Sequence, residues 1–411
     1  MSLHPIISAL LRNKTGAVLV AVQVAISLAI LANALHIVNV RQAVMNRPSG
    51  IAEEQNVFYT ETRYLTRESA EYDRAVQQRE TALLRAMPGV VSVATSSQIP
   101  MSRSGRTGAV TLDRKQVRAS LDSSIYTSAD SLIRTWQLKL VEGRDFTPGD
   151  VLEKDGQVSN EQPKVTIITQ AMAEKLWPGQ SAVGRTILFG IGEKATALQV
   201  VGVVERLQSQ GAEVDEGGEY STILPMRSLG GFAGANYTVR TEPGQLERVM
   251  KEAEAALAKS AGVPVIVESK AVSTDRKERY RADLALAWML VTVSVLLLII
   301  TASGIVGMAS LWVVQRRKQI GVRRALGARR VDILRYFISE NILITSTGVA
   351  IGVMMAIGLN QLLVSKLEMA KLPLTYLLSG AGVFYLIGVI AVYGPAWRAA
   401  TISPAMATRS A

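Results

Sequence analysis

The sequence predicts an α+β membrane protein: four transmembrane helices, with a large extracytoplasmic α+β domain (two βαβ halves plus an inserted strand-rich lobe) between helices 1 and 2. Three observations predict it. First, 48% of the 411 residues are apolar and mean hydropathy is positive. Second, the apolar residues concentrate in windows 17–38, 284–314, 338–363 and 376–396, which contain no Lys, Arg or Asp and one acid, Glu340. Each window is long enough to cross roughly 30 Å of hydrocarbon as a helix. A spanning segment must satisfy its backbone amides internally, so these are helices and the 245 residues between the first two fold on one side of the membrane. Third, a strand-helix-strand pattern occurs twice within that interval.

The net charge of +11 suggests a nucleic-acid partner until it is located. Residues 40–284 contain 31 Lys and Arg against 31 Asp and Glu, so the excess lies elsewhere: Arg12, Lys14, the loop 315–335, Lys366, Lys371, Arg398 and Arg409. Short basic loops beside helix ends mark the cytoplasmic side. The N-terminus, the loop and the C-terminus are therefore expected inside the inner (cytoplasmic) membrane of a bacterium. The neutral domain is expected in the periplasm, with membrane lipid and no nucleic acid as surroundings. No cysteine is present, which excludes thiol catalysis, thiolate metal sites and disulfides. His4 and His36, the only histidines, are too far apart along the chain to suggest a zinc site or a Ser-His-Asp triad. The expected catalytic, cofactor and metal sites of this chain are therefore none.

Residues 1–16 read as a cytoplasmic N-terminus and 17–47 as helix 1 with a stalk. Arg12, Lys14 and Ala32-Asn33-Ala34 imitate a cleavable secretory signal, but the apolar run continues past the small residues, which reads as an uncleaved anchor. The helix is expected to continue through Arg41 until Pro48-Ser49-Gly50. Residues 48–272 read as the periplasmic core domain. From Val57 to Ser96 the pattern is strand, helix (Tyr72, Val76, Leu83 and Met87 on one side), a stop at Pro88-Gly89, and strand. From Tyr237 to Glu268 it recurs, with Leu246, Val249, Met250, Ala253 and Leu257 on the helix. The chain between is expected as an inserted lobe with strands over 110–112, 136–141, 164–168 and 198–204. Glu61, Glu68, Glu71, Asp73 and Glu80 alternate with arginines and read as solvated pairs along a helix. The acidic stretch 213–219 reads as a mobile surface loop.

Residues 273–314 read as stalk plus helix 2: no Pro, and no Gly before Gly304, interrupts a helix of about 44 residues, or about 66 Å. Helix 3 spans 338–363, a short periplasmic loop 364–375, helix 4 376–397, and a cytoplasmic tail 398–411. Gln23 and Ser27 share a face of helix 1, and Gly304 with Gly307 and Gly348 with Gly352 let helices approach closely. These six positions are expected to be packing or dimer surfaces rather than a substrate channel.

The cytoplasmic loop 315–337 is more specific. Gly321 and Gly327 bracket an apolar-cationic segment and are expected to let it turn into a separate short helix. Its run Ile320-Gly321-Val322-Arg323-Arg324-Ala325-Leu326-Gly327-Ala328, followed by Arg329, Arg330 and Phe337-Ile338-Ser339-Glu340, resembles the signature of FtsX-like permeases, with Gln319 where that family often has Glu. Leu11-Arg12-Asn13-Lys14 before helix 1, and Pro395-Ala396-Trp397-Arg398-Ala399-Ala400 with Ser403-Pro404 at the end, extend the resemblance. Glu142-Gly143-Arg144-Asp145-Phe146, Leu176-Trp177-Pro178-Gly179, Val183-Gly184-Arg185 and Val200 to Val204 resemble the MacB-type periplasmic core domain.

The resemblance implies a type VII ABC exporter permease that works by mechanotransmission. Ile320, Gly321, Arg323, Arg324, Ala325, Leu326, Gly327, Ala328, Arg329 and Arg330 would couple it to an ABC ATPase dimer. That ATPase is expected to be a separate subunit binding ATP and Mg, because no Gly-x4-Gly-Lys-Ser/Thr loop occurs in these 411 residues. A second permease, identical or paralogous, is implied, together with a periplasmic adaptor, a TolC-like outer-membrane channel and efflux of substrate from the periplasm. A lipoprotein-release permease of the LolC or LolE kind, and a non-transporting regulator of a cell-wall hydrolase, remain as alternatives.

Overall fold

The computed structural model describes residues 14–65, 69–155, 161–213, 215–229, 234–367 and 371–401. The terminal stretches 1–13 and 402–411 lie outside the described residues, and with them His4, Leu11-Arg12-Asn13, Ser403-Pro404 and most of the expected N-terminus and tail; so does part of the 364–375 loop. The chain divides into two compact units, 44–282 and 1–43 with 283–411. In chain order the elements are α1 (Lys14–Met45), β1 (Val57–Tyr64), α2 (Ala70–Arg85), β2 (Val90–Thr95), β3 (Thr107–Thr111), β4 (Leu121–Ser128), α3 (Leu132–Trp136), β5 (Leu140–Gly143), β6 (Leu152–Asp155), β7 (Val165–Thr169) and α4 (Gln170–Leu176). They continue as β8 (Thr186–Phe189), β9 (Thr196–Val204), β10 (Ser221–Leu229), β11 (Gly234–Thr241), α5 (Leu246–Ser260), β12 (Val265–Ala271), α6 (Val272–Gln315), α7 (Arg317–Ala325), α8 (Arg330–Leu367) and α9 (Leu374–Ala400).

In the α+β unit, β1-α2-β2 and β11-α5-β12 form one lobe around a four-stranded antiparallel sheet of order β12-β1-β11-β2. This interleaving of two βαβ halves is a split βαβ arrangement. The spacing of Val249, Ala253 and Leu257 gives α5 an apolar stripe, which packs with Leu84 of α2 on Phe58, Val93, Tyr237 and Val239 of the sheet. Ser69 caps α2 by accepting from the Tyr72 N–H at 3.2 Å.

Glu80 corrects the expectation of a solvated acid. It is fully buried, and its carboxylate accepts from the hydroxyls of Tyr64, Tyr237 (2.6 Å) and Thr62 (3.4 Å). Burial and then the neighbouring carboxylate push both phenols well above the usual tyrosine range. Glu61, expected on the same helix, lies on β1.

The inserted lobe pairs its strands in the order β4-β3-β8-β9-β7-β10, and a further β4–β10 pairing closes the ring. Val110, Ile168, Ile187, Leu198, Val203 and Leu224 fill it, with Met172 and Leu176 of α4 against them. The strand expected over 136–141 is split. Trp136 ends the short helix α3, Gln137 takes a left-handed φ of 50°, and the strand β5 starts at Leu140. The reason is Trp136 itself: its ring is buried edge-on to Tyr126, and its Nε1–H donates to Thr238 Oγ1 at 2.7 Å. Within the acidic stretch, Glu216–Glu219 form a short 3-10 turn. Asp215 caps Glu216–Glu219 by accepting from the Gly217 N–H, and Arg47 pairs with Glu219 at 3.2 Å.

Among the described residues, the other unit holds four helices long and apolar enough to cross a membrane, and the chain is a multi-pass membrane protein. α1 is the most enclosed: Val20, Val24, Leu28 and Leu31 are buried against α6, α8 and α9. The second helix of this set, α6, runs without a break for 44 residues, and much of its apolar surface is open, with Trp288 at 66% exposure.

Candidate functional site

The site is built where α6 gives way to α7. Arg316 is the joint: its N–H closes the last turn of α6 on Trp312 O (3.0 Å), and its C=O opens the first turn of α7 by accepting from Ile320 N (2.9 Å). α7 then runs one nine-residue stretch and stops in a Schellman motif. Ala328 N–H donates to Arg323 O (3.0 Å) and Gly327 N–H to Arg324 O (3.2 Å), with Gly327 at φ +97°, a conformation glycine adopts without a Cβ penalty. α8 follows at once. Asp332 in its first turn accepts from the Arg329 N–H at 2.9 Å, the reciprocal half of a capping box, and its negative charge suits a helix N-terminus.

The structure thus changes one detail of the expected loop. Gly327 ends the short helix, but Gly321 does not open it. Gly321 lies in the middle of α7, buried next to Ile320. Ile320, 5% exposed, seats in a cluster with Ile333 and Phe337 of α8 and with Ala396, Ala399 and Ala400 of α9. Arg323, Ala325, Leu326, Gly327, Arg329 and Arg330 all face outward, and Arg324 and Ala328 are half-buried. Leu326 is 83% exposed. Leucine at such exposure, just past the end of a short helix and close in sequence to the exposed Arg323, Arg329 and Arg330, is an apolar contact beside cations. That chemistry suits a protein partner with an apolar patch edged by acids.

Two pairs absent from the sequence reading hold the short helix down. Arg316 Nη1 donates to Glu340 Oε2 at 2.7 Å, and its guanidinium lies 5.8 Å from the Trp312 ring centroid. Arg323 lies over Tyr336 at 5.0 Å. The signal for the first pair is in the sequence: Glu340 is the only acid in any apolar window, and a buried charge demands a partner.

The six small or polar positions divide. An added Cβ at Gly348 would lie 2.7 Å from Ala21 O, and one at Gly352 2.9 Å from Ala25 O, so both bring α8 against α1 within one chain. An added Cβ at Gly304 would lie 2.6 Å from Gln23 Oε1, and Ser27 Oγ is 3.0 Å from Thr301 Oγ1, which joins α1 to α6. Around Gly307 there is open space.

Two family models match the chain: the MacB-like periplasmic core domain over residues 19–256 and the FtsX-like permease C-terminal region over 291–404. Among curated proteins, the chain is similar to the macrolide export ATP-binding/permease protein MacB of Chromobacterium violaceum, 28% identical over 69% of this chain and 43% of that one. It is similar also to the protein of the same description from Agrobacterium fabrum, 28% identical over 71% of this chain and 44% of that one. The chain therefore spans less than half the length of these two relatives. Among solved structures, it is similar to the periplasmic region of MacB from Actinobacillus actinomycetemcomitans, with TM-score 0.36 and 16% identity over 58% of this chain and 97% of that one. The extracellular domain of the noncanonic ABC-type transporter YknZ from Gram-positive bacteria matches with TM-score 0.33 and 19% identity over 52% of this chain and 99% of that one.

Proposed function

This chain belongs to the family of ABC transporter permeases that join a MacB-like periplasmic core domain to an FtsX-like C-terminal region, and on that premise we propose that it is the membrane subunit of an exporter driven by a separate ATPase. The observation that carries the reading is the exposed Leu326 on a short helix whose opposite face, Ile320, is sunk among α8 and α9. One face presents a contact and the other is locked to the membrane helices, so a push at Leu326 is delivered to the bundle rather than absorbed by a loose loop.

In this reading two ATPase subunits bind ATP and Mg, close, and displace α7. The motion passes through α8 and α1, which touch backbone to side chain at Gly348 and Gly352, and leaves the bundle along α1 and α6. Each of these is one uninterrupted helix, and α6 follows β12 without a linker. The N-terminus, the 315–337 loop and the C-terminus lie in the cytoplasm and the α+β unit in the periplasm of an inner-membrane assembly, by the placement of the basic residues. A second permease, a periplasmic adaptor and a TolC-like channel complete a route for substrate taken from the periplasm.

The test is Leu326→Asp, with Arg329→Asp beside it, in the chain co-purified with its cognate ATPase. A charged carboxylate placed in an apolar partner pocket is expected to abolish ATPase binding or its permease-dependent change in turnover, while the α+β unit keeps its circular dichroism. Binding and turnover equal to wild type in both variants would overturn the coupling role.

A further inference from the structure

We infer that Glu340 is a positioning residue that latches the joint of the short helix to α8, so that α7 and the root of α8 move as one body; as a transport device this rests on the coupling role proposed for Leu326. The inference starts from a liability. The Glu340 carboxylate is completely buried. Oε2 accepts from Arg316 at 2.7 Å, while Oε1 has no hydrogen-bond partner among the described residues. A half-satisfied carboxylate in a low-dielectric site is a poor way to gain stability, since the desolvation of both charges offsets most of their attraction. What the pair does supply is position.

The position it supplies is specific. Arg316 is the residue at which the hydrogen-bond ladder of α6 hands over to that of α7, so anchoring its side chain fixes the pivot of the short helix. Seven residues on, Arg323 sits over Tyr336, and Tyr336 and Glu340 are i,i+4 neighbours on α8. Between the two arginines, Ile320 is buried against Ile333 and Phe337. Three contacts in a row, charged at the pivot, apolar in the middle and cation–π near the far end, bind one face of α7 along α8. The two outer ones are directional, and only the pivot contact is an ion pair with both charges enclosed, at 14% and 1% side-chain exposure. A displacement of Leu326 would otherwise let α7 swing about its N-terminal end. With Glu340 holding Arg316, the same displacement turns α8.

The experiment compares Glu340→Gln, Arg316→Lys and the exchanged pair Arg316→Glu with Glu340→Arg in the full chain with its cognate ATPase. Three readouts are taken: the Kd for the ATPase, the permease-dependent change in ATP turnover, and hydrogen exchange of the 317–325 amides in the permease alone. Glu340→Gln is expected to bind the ATPase within about twofold of wild type, to lose about five- to tenfold of the permease-dependent change, and to exchange 317–325 about tenfold faster. Arg316→Lys, which keeps the charge but not the fork, should fall between. The exchanged pair should recover part of the loss. If Glu340→Gln keeps both turnover and exchange at wild-type values, the latch is wrong. If exchange rises but turnover follows wild type, α7 is held by Glu340 without transmitting through it, and the inference is equally overturned. If Glu340→Gln fails to assemble and the exchanged pair does not restore assembly, Glu340 is a folding residue only. A failure of Leu326→Asp to affect binding overturns the docking role instead, and the exchange measurement, made without ATPase, separates the two.

Discussion

The guanidinium of Arg276 caps the C-terminus of α1 while gripping Glu54 with both prongs. Its Nε and Nη2 donate to the Glu54 carboxylate at 2.8 and 2.7 Å, and Nη1 donates to the carbonyls of Met45 and Arg47, each at 3.0 Å. Met45 is the last residue of α1, so its carbonyl is among those a helix end leaves without a partner, and a cation there also suits the helix dipole. One side chain of α6 therefore holds the end of α1 and the turn before β1 together. Arg276→Gln is expected to destabilise the full chain by about 1–3 kcal/mol, since it leaves Glu54 uncompensated and two carbonyls unpaired. Glu54→Gln, which keeps the carbonyl contacts, should cost less. Thermal unfolding in detergent, followed by circular dichroism, reads both; equal melting temperatures for Arg276→Gln and wild type would show that the clasp contributes nothing.

Glycines at the α1–α8 crossing should not tolerate bulk. A Cβ at Gly348 would lie 2.7 Å from Ala21 O and 2.8 Å from Val24 Cβ, both rigid. Gly348→Leu is expected to cost about 1–3 kcal/mol or more through overpacking. Gly307→Leu, with open space around the glycine, should leave the melting temperature of the detergent-solubilised chain nearly unchanged. A reversed ranking would move the close crossing away from α8.

The Glu80 cluster predicts coupled losses. Glu80→Gln replaces one of the two accepting oxygens, Oε1 facing Tyr64 or Oε2 facing Tyr237, by an N–H₂ that cannot accept from a phenol, and Tyr237→Phe removes the 2.6 Å donor. Each is expected to cost about 1–3 kcal/mol in chemical unfolding of the chain. Because both act on one network, the double variant should cost less than the sum of the two. Strict additivity would mean that the carboxylate and Tyr237 do not act on each other.

How much of this was legible in the sequence depends on how far each signal reaches along the chain. Helix-forming windows and the doubled strand-helix-strand pattern are local, and α1, α6, α8 and α9 with the two βαβ halves follow from them. The ring closure of β4 on β10 is not local, and nothing in either strand announces it. Glu80 falls on the 76, 80, 84 spacing of the buried face of α2, yet the alternating charges around it suggest a solvated helix. Trp136 shows the opposite difficulty, since its bulk and the residues after it suggest a strand while burial against Tyr126 and Thr238 ends a short helix there. At the end of α7, Gly327 declares its turn, whereas at the α6–α7 joint the Arg316–Glu340 pair joins residues 24 apart and is signalled only by the oddity of one acid in an apolar window.

The turn at Thr147–Asp150 predicts a pH dependence with a definite sign. Asp150 accepts from Arg144 Nη1 at 2.8 Å, from the Thr147 N–H at 2.8 Å and from the Thr147 hydroxyl at 2.7 Å, closing a capping box. The Arg144 guanidinium first, then the Thr147 donors, hold its carboxyl down at about 2, below the ordinary carboxylate value. A depressed folded-state value means that the folded chain favours the ionised form, so the stabilisation is present above the unfolded value near 3.8 and is lost as pH falls toward 2. Arg144 stays charged throughout this range and adds no slope of its own. The pair is close to solvent, so its contribution is small, about 0.5–1 kcal/mol. Asp150→Asn should therefore unfold at a lower urea concentration than wild type at pH 6, and the gap between the two midpoints should close as the titration proceeds to pH 2.5. A gap that stays constant over that range would assign the effect of the substitution to the shape of the turn and not to the charge of Asp150.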